Sequence, residues 1–386
     1  MLRTLPTTRL LALLAAAAAV LIAGTAIALG AAGGGPTPPP KPLATAVHDA
    51  LAAPPPAGIT ARISFVNNLL PTGALTGQTG SALLSGAGGR LWARSDGRGR
   101  LELQSDAGDV QIVWSPALLT VYDASSNTVY RLARPAASSS GAHGSSTVPG
   151  LAQIASVLTA LRRAWNVAGP TPTDVGGQAA YDVRVTPKTP AGLVGALEVA
   201  WDAKHGVPLK LAVYARGSSS PVLALSATRV SFGAVPLGDV AVSPPAGAHL
   251  VDIPTAAGNG GQQTTPVTGF AAVQAALPFH VAAPAKLGAL PRTEVRLVGG
   301  GDSKGALVAY GEGLGAVAVF EHAAGTRSAP QGPLAMLPPV TIAGAAGREL
   351  STPLGTVVTW TRGGVAYVLA GSVASATALA DAAAVG

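Results

Sequence analysis

The 386-residue chain contains no cysteine. That excludes disulfides, thiolate metal sites, a cysteine nucleophile and the lipidated N-terminal cysteine of a bacterial lipoprotein. Charge is also scarce, at 11% of residues, and aromatics make up 4%. The net charge of +7 is spread along the chain. With no basic helix and no aromatic-interleaved basic motif, the excess points to anionic lipid or cell-wall polymer and not to nucleic acid. The six histidines, at 48, 143, 205, 249, 280 and 322, form neither HExxH nor H-x-H. No G-x-S-x-G elbow occurs, "GGGDSKG" (299–305) lacks the Gly-Lys-Ser/Thr of a phosphate loop, and "GEGLGA" (311–316) misses G-x-G-x-x-G. Both glycine runs read as turns, and no catalytic residue, metal or cofactor is expected.

Glycine (49) and proline (32) are abundant, which favours short strands and loops, and the length suits two globular units. Arg3 and Arg9 precede an uncharged run, Leu10 to Ala32, about as long as the ~20 residues that span a bilayer. Residues 1–32 therefore read as a signal peptide or an N-terminal transmembrane anchor. The length favours the anchor, and "AIA" at 26–28 fits signal cleavage. Either way the body is exported. Residues 33–42, "GGGPTPPPKP", read as an extended spacer holding the body off the membrane.

"LATAVHDALAA" (43–53) carries Leu43, Val47 and Leu51 at helical spacing. "LAQIASVLTALRRAWNV" (151–167) does the same with Leu151, Ile154, Leu158, Leu161 and Trp165. Between and after them lie short alternating segments. Ile63 and Phe65 recur on one side of "ITARISFV", Leu101 and Leu103 on one side of "RGRLELQ", and Leu209, Leu211 and Val213 on one side of "VPLKLAVYA". "VYDASSNTVYRLARP" (121–135) is a hairpin whose tyrosines, Tyr122 and Tyr130, form either a cross-strand pair or a contact rim. Strands about ten residues apart argue for one curved antiparallel sheet with helices on it. "TAAGNGGQQTTPVTG" (255–269) is a linker by composition. From Phe270 the chain reads as five more strands and a helix near 375–384, a small α+β unit.

The order of these segments carries a resemblance. "GRLWARSDGRGRLELQSDAGDVQIVWSPALLTVYDASSNTVYRLARP" and "AAYDVRVTPKTPAGLVGALEVAWDAKHGVPLKLAVYARG", closed by "VSPPAGAHLVD", resemble the LolA-like lipoprotein-carrier superfamily over residues 43–254. "LVAYGEGLGAVAVFEH" resembles a segment in the C-terminal domain of MucB/RseB-type sigma-factor regulatory proteins, with Gly311-Glu312 in place of the usual Ser-Asp. The resemblance implies a mainly β fold: an unclosed antiparallel barrel with lid helices, binding acyl chains non-covalently, followed by a smaller α+β domain at 270–386.

It also implies a non-enzymatic, extracytoplasmic protein whose partners are an acyl lipid or lipoprotein, the membrane through the N-terminal helix, and an anti-sigma factor. The expected lipid surface is Ile63, Phe65, Leu91, Leu101, Leu103, Ile112, Trp114, Leu209, Leu211 and Val213. By the same resemblance Arg100, or its neighbour Arg98, would latch the lid, and Tyr310 and Phe320 would lie where the second domain docks a partner. The alternative is an envelope interaction module whose barrel is solidly packed and ligand-free.

Overall fold

The computed structural model describes residues 35–69, 82–134, 149–189, 192–253, 267–300, 304–325 and 337–385. The run read as signal or anchor lies outside them. Among the described residues no helix is long and apolar enough to cross a membrane.

The first unit is one sheet of twelve strands, built mostly by hairpins. In chain order these are β1 (Gly58–Asn67), β2 (Ala87–Arg94), β3 (Gly99–Ser105), β4 (Gly108–Trp114), β5 (Leu118–Asp123), β6 (Thr128–Ala133), β7 (Trp165–Val175), β8 (Gln178–Pro187), β9 (Val194–Asp202), β10 (Pro208–Ala215), β11 (Pro221–Phe232) and β12 (His249–Ile253). The spatial order is β12-β6-β5-β4-β3-β2-β1-β11-β10-β9-β8-β7, so the meander β1–β6 and the meander β7–β11 join where β1 pairs β11. Every neighbouring pair is antiparallel except β12, which lies parallel to β6. The edges β12 and β7 do not pair with each other, so the barrel is unclosed. Its curl is nevertheless tight: Gly176, in the β7–β8 turn, accepts the Val230 N–H of β11 at 2.9 Å. At φ +62°, with Ala227 O 3.1 Å from where a Cβ would stand, that turn position suits glycine.

Helices α1 (Leu43–Ala52) and α3 (Leu151–Ala164) pack on the β7–β9 end of one face, where Leu43, Ala46, Tyr181, Val183 and Trp201 form a buried cluster. The helix expected over 151–167 stops at Ala164. Trp165 continues the helical stripe in sequence but opens β7 and pairs with Pro187. The spacer is also corrected in part. Pro38 is buried and the Tyr181 hydroxyl donates to the Pro39 carbonyl at 2.6 Å, so its final residues are docked on the body. Two short helical turns complete the unit, α2 (Ala82–Ser85) and α4 (Leu237–Val240).

The second unit is an eight-stranded antiparallel sheet in the order β13-β14-β15-β16-β20-β19-β18-β17. Its strands are β13 (Lys286–Leu287), β14 (Leu290–Val298), β15 (Gly305–Tyr310), β16 (Val317–Ala323), β17 (Pro339–Ile342), β18 (Ala345–Thr352), β19 (Gly355–Arg362) and β20 (Val365–Gly371). Helices α5 (Phe270–Ala275) and α6 (Ser375–Ala384) join the core on one face, among Val273, Val308, Tyr310, Val319, Trp360, Leu369 and Ala378. The unit's contacts begin at Val267, whose carbonyl accepts the Leu297 N–H at 3.0 Å, inside the segment read as linker. "GEGLGA" is the connection between β15 and β16, as expected of a turn.

Candidate functional site

Strand register decides which side chains share a face. Leu91 pairs with Leu101 and Leu101 with Ile112; Phe65 pairs with Leu225 and Leu225 with Leu211. Across the strands this places the ten expected apolar residues on the face that carries α1 and α3. The structure then divides them. Ile63, Leu91, Leu103, Trp114 and Leu209 are buried in one cluster with Ala61, Val110 and Ala227. Phe65, Leu101 and Ile112 are only half-buried against it, beside Leu119, Val121 and Phe232. Leu211 packs at half burial on a smaller group around Ala212 and Tyr214, and Val213 is half-buried.

The face is therefore a packed floor with a half-open apolar wall. The helical cover at the β7–β9 end is thin: Ile154 is the buried residue of α3, while Leu151 and Val157 are 47% and 44% exposed. Chemically the wall offers dispersion contact and little else.

The latch expected of Arg100 is corrected by the same register. Arg100 stands opposite Trp92 and alternates with Leu101, so it lies on the other face of the sheet. There its guanidinium pairs with Glu102, sits 5.2 Å from the Trp92 ring centre and donates to the Asp239 carbonyl of α4 at 3.4 Å. Among the described residues it bonds to neither α1 nor α3. Arg98 pairs with Asp96 within its own turn at 2.9 Å.

Tyr122 and Tyr130 are not a cross-strand pair. Tyr122 faces Val129 and Tyr130 faces Val121, which puts the rings on opposite faces. The Tyr122 hydroxyl donates to Asn127 Oδ1 at 3.2 Å, and the Asp123 carboxylate accepts from Ser125 N and Oγ at 2.9 and 2.6 Å, so these groups hold the turn.

In the second unit Tyr310 is fully buried in the core and is not available as a docking side chain. Phe320 lies on the opposite, helix-free face, half-buried, opposite Leu307 and Val368 and 5.4 Å from the His322 ring.

Two charged features were not anticipated. On the polar face of the first sheet the Glu198 carboxylate accepts from Tyr214 Oη at 2.6 Å and Arg184 Nη1 at 3.1 Å, and pairs closely with Lys210. Although burial opposes it, the hydrogen bonds from Lys210 and Tyr214 and the charge of Lys210 hold Glu198 below its ordinary pKa. Burial and the charge of Glu198 push the neighbouring Asp182 up to about 7. In the second unit Glu321 is fully buried and pushed up to about 7 by burial; one oxygen accepts the Ala282 N–H at 2.8 Å and the other has no partner. No group of histidines and carboxylates among the described residues could hold a metal. In sequence, Glu321 was marked only by a charge amid an apolar strand.

The fold and this face define a β-rich scaffold with an open apolar wall. No family model and no curated protein matches the chain. Among solved structures, MucB in complex with MucA(peri) is similar at 15% identity with a TM-score of 0.43, over 89% of this chain and 96% of that one. The MucA/MucB complex of Pseudomonas aeruginosa is similar at 16% and 0.43 with the same coverage. An uncharacterized conserved protein from Thermus thermophilus is similar at 9% and 0.32, over 54% of this chain and 96% of that one. At such identities and scores none of them assigns a site or a partner to this chain.

Proposed function

We propose that the chain is an exported, non-enzymatic lipid-binding protein of the cell envelope. In this reading an acyl chain lies along Phe65, Leu101, Ile112, Leu211 and Val213, with α1 and α3 as the lid. The carrying observation is the half-open apolar wall on the helix-bearing face of an unclosed barrel. Burying an acyl chain of a dozen methylenes is worth ~0.8 kcal/mol each, roughly 10 kcal/mol before ordering costs, so useful affinity needs no charged partner. The buried residues Ile63, Leu91, Leu103, Trp114 and Leu209 serve as the floor. The second unit would dock a transmembrane anti-sigma factor through the Phe320 face. That part rests on the sequence likeness across residues 307–322, with Tyr310 as core beneath it.

Native mass spectrometry of the full chain, with lipid extraction alongside, tests the reading. The expected result is a stoichiometric lipid adduct released on unfolding and lost in a folded Leu101→Glu/Leu211→Glu variant. A protein that is empty and refuses added diacyl lipid would replace this reading with the envelope interaction module, its barrel packed throughout.

A further inference from the structure

The polar face of the first sheet carries a second surface that the lipid reading does not use. Arg62 of β1 stands directly opposite Arg229 of β11, both exposed, at the point where Thr228 bulges out of register. Like charges directly opposed across a strand pair are destabilising unless something compensates them. Nothing among the described residues does so: Arg62, Arg90 and Arg229 make no hydrogen bond or ion pair with any of them. The carboxylates nearest by register are otherwise placed. Glu102, opposite Arg90, pairs with Arg100, and Asp109 lies across from Gln104.

Between Arg62 and Arg90 is a notch of about 310 Å³, lined also by Gly88, Gly89 and Gln104. That is about ten times the roughly 30 Å³ share of a water molecule. Its two glycines have different explanations. A Cβ on Gly89 would meet the Glu102 carbonyl oxygen at 2.0 Å, so packing requires glycine there. A Cβ on Gly88 would meet nothing within 4 Å. Packing therefore does not account for Gly88, an exposed position in the lining of the notch.

We infer that this notch binds a tetrahedral oxyanion of the phosphate class. One guanidinium satisfies a carboxylate with its two-pronged donor set. Two guanidiniums and an amide around one opening call for a group with three or more acceptor oxygens and more than one unit of charge to share. The phosphate could belong to a lipid headgroup or to a soluble phosphate compound. The notch lies on the face opposite the apolar wall, so the inference does not rest on lipid binding there.

The test is a ³¹P NMR titration of the full chain with inorganic phosphate, beside flotation on phosphatidylglycerol and phosphatidylcholine vesicles. Two variants are compared. Arg62→Gln/Arg90→Gln removes the donors. Gly88→Asp keeps both arginines but places a competing carboxylate in a position with room for it. Saturable broadening of the phosphate line, weakened at least tenfold in both folded variants, is the expected result for a soluble source. A preference for phosphatidylglycerol over phosphatidylcholine vesicles that both variants lose, with no free-phosphate binding, supports the headgroup source. Binding that survives in both variants, or no response to either probe, overturns the inference.

Discussion

Glu321 is a carboxyl group with one bonded oxygen and one bare one in a fully buried setting. Because its pKa rises from 4.5 to about 7 on folding, the native state holds a proton that the unfolded chain has released between those values. Stability contributed here falls as pH rises through that window, by up to roughly 3 kcal/mol. Glu321→Gln keeps the acceptor for Ala282 and removes the titration, so chemical denaturation should show a flatter pH profile and a more stable variant at pH 8. Asp182→Asn should remove a second part of the same slope, from about pH 4 to 7, because the Asp182 pKa also rises. Neither carboxyl was legible from sequence, where a single acid in an apolar strand does not reveal which way it points. Tyr310 failed for a related reason: "GALVAY" is apolar on both faces, so alternation could not say which one was inside. Arg100 is the opposite case. Its alternation with Leu101 and Leu103 already placed it away from the apolar face, and the role carried over by resemblance ran against that parity.

Helix α3 is held by little, since Ile154 is its buried residue while Leu151 and Val157 are largely exposed. Ile154→Ala should cost about 2 kcal/mol or more, felt as detachment of the helix and not as loss of the sheet. Hydrogen exchange across 151–164 should accelerate at least tenfold with the β1–β11 amides unchanged; equal acceleration in both would show that the helix and sheet unfold as one. The existence of α1 and α3 was legible because their apolar residues recur every three or four positions over ten residues or more, a run too long for these to be strands. Where α3 ends was not legible, because Trp165 satisfies the helical stripe and the β7–β8 ladder equally and only the pairing with Pro187 decides. Strand β7 itself was hidden by Gly169, Pro170 and Pro172. Its place at the sheet edge is what allows a strand to carry prolines.

At the level of the whole chain, the two sheets meet through a serine. Ser372, just past β20, accepts the Leu193 and Val194 N–H groups on its hydroxyl oxygen at 2.9 and 3.3 Å, and donates to the Leu354 carbonyl at 2.8 Å. Ser372→Ala should expose the Val194 amide to exchange about tenfold faster and weaken the junction by about 1 kcal/mol, read by hydrogen exchange and by small-angle scattering of the full chain. Unchanged exchange at Val194 would mean that the hydroxyl does not tie the sheets together. The order of strands was not legible in the sequence. Hairpins announce their partners through short turns; the pairings of β1 with β11 and of β6 with β12 have no local signal. That long-range closure sets a schedule for the emerging chain. Ile59 waits for Phe232, roughly 170 residues later, which at 5–20 residues per second is on the order of 10–30 s. For that interval β1 is a bare strand edge beside a finished meander. The protein most needs a chaperone between the emergence of its sixth strand and its eleventh.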